Sequence, residues 1–375
     1  MNLLKSLKQM VYPKISRHIS RAILAEGPLR GSGRPFRCLF VDNSLFTEYM
    51  LRKMYAGQPR ILREWKLWIP ALRKLVRPPM LDADLCIAVL PSGCEAMLRG
   101  LYAFRGGDYV RQVIDTSADW EVIKSRFHKK KRQISNNIPA RGVMSFRISR
   151  DAGDFDFFYH RMHLPHIRKQ FGERSDIDSY EFMKEYFSRG FLLLVMMDGQ
   201  SVTGALSLVE NGVLIFRRTG VLDGNEEHIR SGAQMALYYF QLLLAKEWRL
   251  RELDTMSCRP FLNDSVYRTK REWGAAVYPD RWTGNRVYYF VPRYSGAAAR
   301  FFANNPAIVN TEDGLMGIAG MDGPAGISEE TGRDLYRRFH APGLGGLLLV
   351  SSRDTETFTF PFKEACRRTP AHRQP

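Results

Sequence analysis

The stretch that decides the fold is GFLLLVMMDGQSVTGALSLVENGVLIFRRTGVL, residues 190–222. Three apolar runs are separated by Asp198-Gly199 and Asn211-Gly212, dipeptides that favour the positive-φ turns of two-residue hairpins. The reading is a three-stranded antiparallel meander. Downstream come a polar loop, DGNEEHIRSGAQ (223–234), an amphipathic helix, MALYYFQLLLAKEW (235–248), and a strand, RELDTMSC (251–258). Upstream, VMSFRIS (143–149) has strand alternation, while DFDFFYHRMHLPHIRKQF (154–171) and SYEFMKEYFSR (179–189) carry apolar residues at helical spacing. AAVYP (275–279) and RVYYFVP (286–292) read as closing strands. The class is α/β (α+β): a mixed, mostly antiparallel sheet flanked by helices, predicted over about 143–292.

Between those strands and the closing ones lies SCRPFLNDSVYRTKREWGA (257–275). With Asn263 or Asp264 as cap, a helix over 263–273 puts Tyr267, Lys270 and Arg271 three or four residues apart on one face, able to converge on an anion. A positioned lysine suits phosphate or developing negative charge. The plainer alternative is that Asp264 only caps the helix while Tyr267 and Trp273 only pack. Asp254 and Cys258 end the preceding strand; a lone strand-end cysteine reads as structural. At the start of the long helix, Arg230, Ser231, Gly232 and Ala233 offer free amides and a positive dipole end to phosphate, or simply begin a helix. His160, His163 and His166 share a segment with Pro165 and do not form a ligand set, so no metal is predicted.

The element order and these motifs resemble the GNAT-type acyltransferases. The form Asn-Asp-x-x-Tyr-x-x-Lys-x-x-Trp-Gly at 263–274 resembles their FemAB-like branch, which includes peptidoglycan aminoacyl transferases and proteins of cell-envelope and exopolysaccharide clusters. So does IDTSADWEVIKSRFHKKKRQISNNI (114–138), a Trp-containing turn followed by a basic helix. The resemblance covers roughly 109–292 and implies two tandem GNAT-like domains, with the sheet broken between the strand ending near Gly220 and the strand 251–257. It implies an N-acyltransferase moving an acyl or aminoacyl group to an amine on a cell-envelope, polysaccharide or lipid-linked precursor. The implied donor is acyl-CoA (acetyl-CoA) or aminoacyl-tRNA. Arg217, Thr219, Gly220 and Arg230–Ala233 would bind it, with backbone N–H groups near 217–220 holding the oxyanion. Asp254, Asn263, Asp264, Tyr267 and Lys270 would be catalytic, Lys270 standing where the superfamily often keeps a tyrosine. The general base stays open among Glu210, Asp254 and Asp264.

The expected division is a basic leader (1–30), a degenerate GNAT-like domain (31–115), the acyltransferase domain (116–300), and a Gly-rich loop, GLMGIAGMDGPAGISEE, with a C-terminal extension (301–375). The 375 residues, 45% hydrophobic, carry a net charge of +17, which favours an anionic partner. Five scattered cysteines suit a reducing compartment. With no apolar run long enough for a signal peptide or a spanning helix, the expected location is the cytoplasm. Leu and Ile interleaved with Lys and Arg over the first residues are compatible with peripheral contact with an anionic membrane on its inner face, although Pro13 interrupts the pattern. Two rival readings stand: a basic nucleic-acid-binding protein, or a catalytically inactive GNAT-fold interaction protein. The run His128–Arg132 supplies charge without stacking aromatics, so sequence-specific nucleic-acid binding is not expected. No GxSxG, P-loop or dinucleotide fingerprint is present.

Overall fold

The structure is a computed structural model and describes residues 19–77, 80–171, 177–281, 283–291, 296–321, 329–351 and 357–361. The basic stretch before Ile19, with its expected membrane contact, lies outside the described residues, as does 322–328 of the Gly-rich segment.

The chain runs β1 (Ile19–Pro28), β2 (Pro35–Val41), α1 (Phe46–Met54), β3 (Arg60–Trp68), α2 (Ile69–Leu75), β4 (Leu85–Pro91), α3 (Glu95–Leu98), β5 (Phe104–Gly107), β6 (Val110–Asp115), α4 (Trp120–Ser125), α5 (Lys129–Arg141) and β7 (Met144–Ser149). Then come α6 (Ala152–Phe157), a π-helical turn (Phe158–His163), α7 (Leu164–Phe171), α8 (Tyr180–Arg189), β8 (Phe191–Met197), β9 (Gln200–Glu210), β10 (Val213–Val221), α9 (Glu226–Arg230), α10 (Ala233–Glu247) and β11 (Glu252–Cys258). The last part holds α11 (Ser265–Glu272), β12 (Ala276–Pro279), β13 (Asn285–Phe290), α12 (Gly296–Asn304), β14 (Ala307–Thr311), β15 (Gly314–Met321), α13 (Glu329–Phe339), β16 (Gly346–Ser351) and β17 (Thr357–Pro361). No helix among the described residues is long and apolar enough to cross a membrane.

Two compact units result, each drawn from separate stretches of the chain. The first comprises Met1–Val110, Arg259–Tyr267 and Pro279–Pro375; the second comprises Arg111–Cys258 and Arg268–Tyr278. The sequential division expected from the sequence is thereby replaced by an inserted one.

In the second unit the sheet order is β12-β6-β11-β10-β9-β8-β7. β7·β8, β8·β9 and β9·β10 pair antiparallel, and β10 pairs parallel with β11. This is the GNAT-type arrangement: a meander, a long helix, and a parallel strand returning beside the meander's last member. The hairpin turns are of the predicted kind, with φ of 51° and 76° at Asp198 and Gly199, and 51° and 74° at Asn211 and Gly212. Alternation divides β8 between two cores. Leu193 and Val195 join the α10 side with Leu214, Phe216 and Leu237, whereas Leu192 and Leu194 join Phe155, Phe158 and Leu206 under α6–α8. Being apolar nearly all round, α10 is largely buried, from Ala236 and Leu237 to Leu244 and Ala245. The helix read through 154–171 passes through the π turn just before Pro165, which can donate no hydrogen bond to the turn ahead of it.

The first unit holds a six-stranded sheet, β3-β1-β2-β4-β13-β5, and a four-stranded one, β14-β15-β16-β17. Three sequence expectations are corrected here. Residues 19–28 of the supposed leader are β1, paired with β2 and β3. The strand RVYYFVP does not close the second unit's sheet; β13 lies between β4 and β5. Finally, GLMGIAGM is no loop but β15, and its Gly320 reflects crowding. A Cβ at Gly320 would lie 1.6 Å from the carbonyl oxygen of Ala299 in α12.

Candidate active site

The site begins where β10 and β11 part. Their parallel ladder has three matched pairs, Val213 with Glu252, Leu214 with Leu253, and Ile215 with Asp254. Both strands then change course. On β10 the register against β9 slips between Phe216 and Arg218, making Arg217 an extra, bulged residue. On β11, Met256 adopts φ +64°, a left-handed conformation that side chains rarely take. The Asp254 carboxylate fixes that turn, its Oδ1 accepting from Met256 N at 2.8 Å while its Oδ2 receives Arg111 Nε at 2.7 Å.

A splayed strand leaves carbonyls without ladder partners. Lys270, only 4% exposed, donates from Nζ to the carbonyls of Met256 at 2.8 Å and Ser257 at 3.2 Å. The buried ammonium requires acceptors and the open strand end requires donors, so each satisfies the other. Lys270 is therefore not a solvated surface charge.

An aromatic wall stands nearby. Tyr238 of α10 meets Phe216 edge-on at 5.0 Å and stacks on Trp273 at 6.0 Å and 8°. Burial and the neighbouring Cys258 push the Tyr238 hydroxyl pKa well above its usual value. Trp273 is fully buried, and its indole Nε1 has no hydrogen-bond partner among the described residues. Cys258, buried, directs Sγ at Gln112 Oε1 3.1 Å away, a packing role rather than a nucleophile's. Tyr238 escapes sequence reading because, in a row with Tyr239 and Phe240 in an apolar helix, it looks like core.

At the other end of β10, Arg230 and Ser231 are exposed and Gly232 takes φ +91° before α10 starts at Ala233. Arg230 pairs with Glu226 at 2.9 Å, and Ser231 Oγ donates to His228 O at 2.8 Å. Ser231 and Gly232 also border a cavity of about 240 Å³ whose other walls include Ile134, Ile138, Arg141 and Met197. The backbones of Thr219 and Gly220 serve the scaffold. His163 Nδ1 donates to Thr219 O at 2.8 Å, Thr203 Oγ1 donates to Gly220 O at 2.6 Å, and a Cβ at Gly220 would lie 2.5 Å from His163 N. His163 and His166 are buried, and burial lowers both their pKa values. No group of three metal-ligating side chains occurs among the described residues.

The motif 263–274 divides between the units. Its first half is a structural staple of the first unit. Asp264 Oδ1 caps α11 through Val266 N at 3.0 Å and Tyr267 N at 3.2 Å, while its Oδ2 accepts from Tyr49 Oη at 3.0 Å. Asn263 Oδ1 accepts from Lys53 Nζ at 2.9 Å, and its Nδ2 donates to Asn304 O at 2.8 Å. Tyr267 is fully buried. Lys270 and Trp273 belong to the second unit with Asp254, Arg217 and the α10 loop. Of the other two base candidates, Asp254 is tied to Arg111, and Glu210 faces Arg189 at 3.6 Å on the surface.

No family model matches the sequence, and no curated protein matches it. Among solved structures the chain is similar to FemX, with 10% identity over 72% of this chain and 84% of that one and a TM-score of 0.38. It is similar to L-PGS from Bacillus licheniformis, with 8% identity over 72% and 85% and a TM-score of 0.35. It is also similar to a GCN5-related N-acetyltransferase from Kribbella flavida, with 11% identity over 89% and 72% and a TM-score of 0.27. Likenesses this distant carry nothing about activity.

Proposed function

We propose that the protein is an N-acyltransferase, moving an acyl or aminoacyl group from an activated donor to an amine. The observation that carries the reading is the parting of β10 from β11 after three residue pairs. Beyond Ile215, amides of β10 on the edge that β11 has left would face the gap, since successive backbone groups face opposite strand edges. They are suited to an oxyanion at an attacked carbonyl. The donor's phosphates would lie at Arg230–Ala233, where first-turn amides and the helix dipole favour anions. Acyl-CoA and aminoacyl-tRNA both present such a group. Lys270, holding the turned end of β11, brings positive charge to the cleft where a leaving group departs. The acceptor would be an amine on a cell-envelope, polysaccharide or lipid-linked precursor, with Asp254 or a water it orients as base.

Thermal-shift titration tests the reading: saturation by a true donor at about a hundredfold over its Kd stabilises by about 2.7 kcal/mol. A rise with acetyl-CoA, longer acyl-CoAs or aminoacyl-tRNA is expected. No response to any of these, with a rise on adding a nucleotide sugar, would sink the donor assignment. In a transfer assay, Lys270→Met should lower turnover by about thirtyfold or more, equivalent to about 2 kcal/mol. Lys169→Met, a change at an exposed lysine 3.7 Å from Glu226, is the comparison.

A further inference from the structure

Arg111, Arg189, Arg217 and Arg218 lie on or near the α8 side of the second unit's sheet, and three of these have acidic partners. Arg218 holds Asp178 at 2.5 Å, Arg189 faces Glu210 at 3.6 Å, and Arg111 holds Asp254 at 2.7 Å. Arg217 differs. Its guanidinium carbon lies 3.9 Å from the ring centre of Tyr186 and 5.6 Å from that of Phe182, both on α8. Among the described residues its side chain makes no ion pair and no hydrogen bond, and its Nε is buried without a partner. Burial, reinforced by the adjacent Arg218, lowers its pKa against the opposing pull of Tyr186, Asp178 and Glu210.

Geometry explains what such a group is suited to. Stacking on aromatic rings occupies the flat face of a guanidinium and leaves its donors pointing outward in the plane. That edge matches two oxygens of a carboxylate or phosphate. The bulge supplies the placement. Phe216 matches Ser207 and Arg218 matches Leu206, so Arg217 is the unmatched residue, two positions beyond Ile215, the last β10 residue paired to β11. An oxyanion held there lies beside the mouth of the cleft, against α8 and on the sheet face opposite α10.

We infer that Arg217 anchors a carboxylate or phosphate carried by the acceptor amine, and so selects anionic acceptors. The word acceptor rests on the acyl-transfer reading; the oxyanion site does not. Two measurements keep them apart. Calorimetric titrations of O-phosphoethanolamine, β-alanine and ethanolamine into the full chain compare phosphate, carboxylate and no anion on similar small amines. Wild type should bind at least one anionic amine about tenfold or more tighter than ethanolamine, as charge-assisted hydrogen bonds allow. Arg217→Met should erase that preference. Arg217→Lys, which keeps charge but loses the fork, should keep part of it for phosphate and little for carboxylate. Arg189→Met, at a guanidinium over the same Tyr186 ring but paired with Glu210, should leave the preference within about twofold of wild type. A wild type that does not discriminate, or an Arg217→Met protein that discriminates equally, overturns the site. Should Arg217→Met fail to fold, undiminished discrimination in Arg217→Lys for both anions overturns the fork. Transfer from acyl-CoA or aminoacyl-tRNA to the same amines is the second measurement. Arg217-dependent binding without transfer by the wild type would leave the oxyanion site standing and remove the acyl-transfer reading.

Discussion

Each of the two larger sheets contains a parallel step, and the two steps are built differently. In the first unit, Cys38–Val41 of β2 match Leu85–Ala88 of β4 up to the end of β2, and all eight residues are buried. In the second, β10 and β11 match at three pairs and separate, although β10 continues to Val221. The closed step is apolar throughout, so continuing the ladder costs no exposed or stranded charge. At the open step stand a bulged arginine, a left-handed Met256 and a buried lysine on the carbonyls of Met256 and Ser257. A parallel ladder opens where its backbone groups receive other partners, and here Asp254 and Lys270 supply them. The difference teaches that the gap is built by named side chains rather than left by poor packing.

Removing those partners is the strongest way to break the contrast. Lys270→Met should destabilise the protein by about 3 kcal/mol, because two buried carbonyls lose a charged donor. Denaturant titration measures the loss, and hydrogen exchange near 255–258 should quicken with it. Stability within about 0.5 kcal/mol of wild type would show that β11 holds its course without the lysine.

Gly220→Ala tests the far end of β10. With the new Cβ 2.5 Å from His163 N and 2.6 Å from Met162 C, both backbone atoms, a loss of about 2 kcal/mol is expected from overpacking. Donor-induced thermal shifts should weaken as well if the strand end is displaced. Full stability would mean that the π turn yields easily.

Ile87→Val in the closed step sharpens the comparison from the other side. Loss of one buried methylene should cost about 1 kcal/mol while leaving donor and anion binding unchanged. Altered binding in this variant would deny that the two steps have separate roles.

The smallest expected effect concerns pH. Burial lowers the pKa of His163, so the folded chain keeps its ring neutral while the unfolded chain protonates near 6.5. Between those values the unfolded state binds more protons, so stability is fully present above about 6.5 and falls as pH drops below it. His163→Gln, an uncharged substitute able to donate to Thr219 O, should make that fall shallower, with His166 sustaining the remainder. Identical slopes for variant and wild type, followed by thermal melts from pH 7.5 to 5, would show that His163 does not titrate on unfolding.

Asp198-Gly199, Asn211-Gly212 and the apolar runs around them were enough to determine the meander, because a two-residue turn with positive φ and a period of two are local properties. The long helix after it and the strand after that were legible for the same reason, as was a helix capped at Asp264. Pairing partners were not. β13 has the alternation of any strand, and nothing in RVYYFVP says that it lies between β4 and β5 rather than beside β12. Gly320 of β15 looks like a loop residue until the carbonyl of Ala299 is seen where its side chain would be. The motif 263–274 shows the same limit at single residues. Its spacing marked Asn263, Asp264, Tyr267 and Lys270 as a group, yet Asn263 and Asp264 bind Lys53 and Tyr49, more than two hundred positions earlier. Lys270 instead reaches the splayed strand. Sequence fixes the face and period of an element through neighbours a few residues apart. Which distant backbone receives a buried ammonium, and which arginine is left without a carboxylate, depends on long-range packing that only the tertiary structure decides.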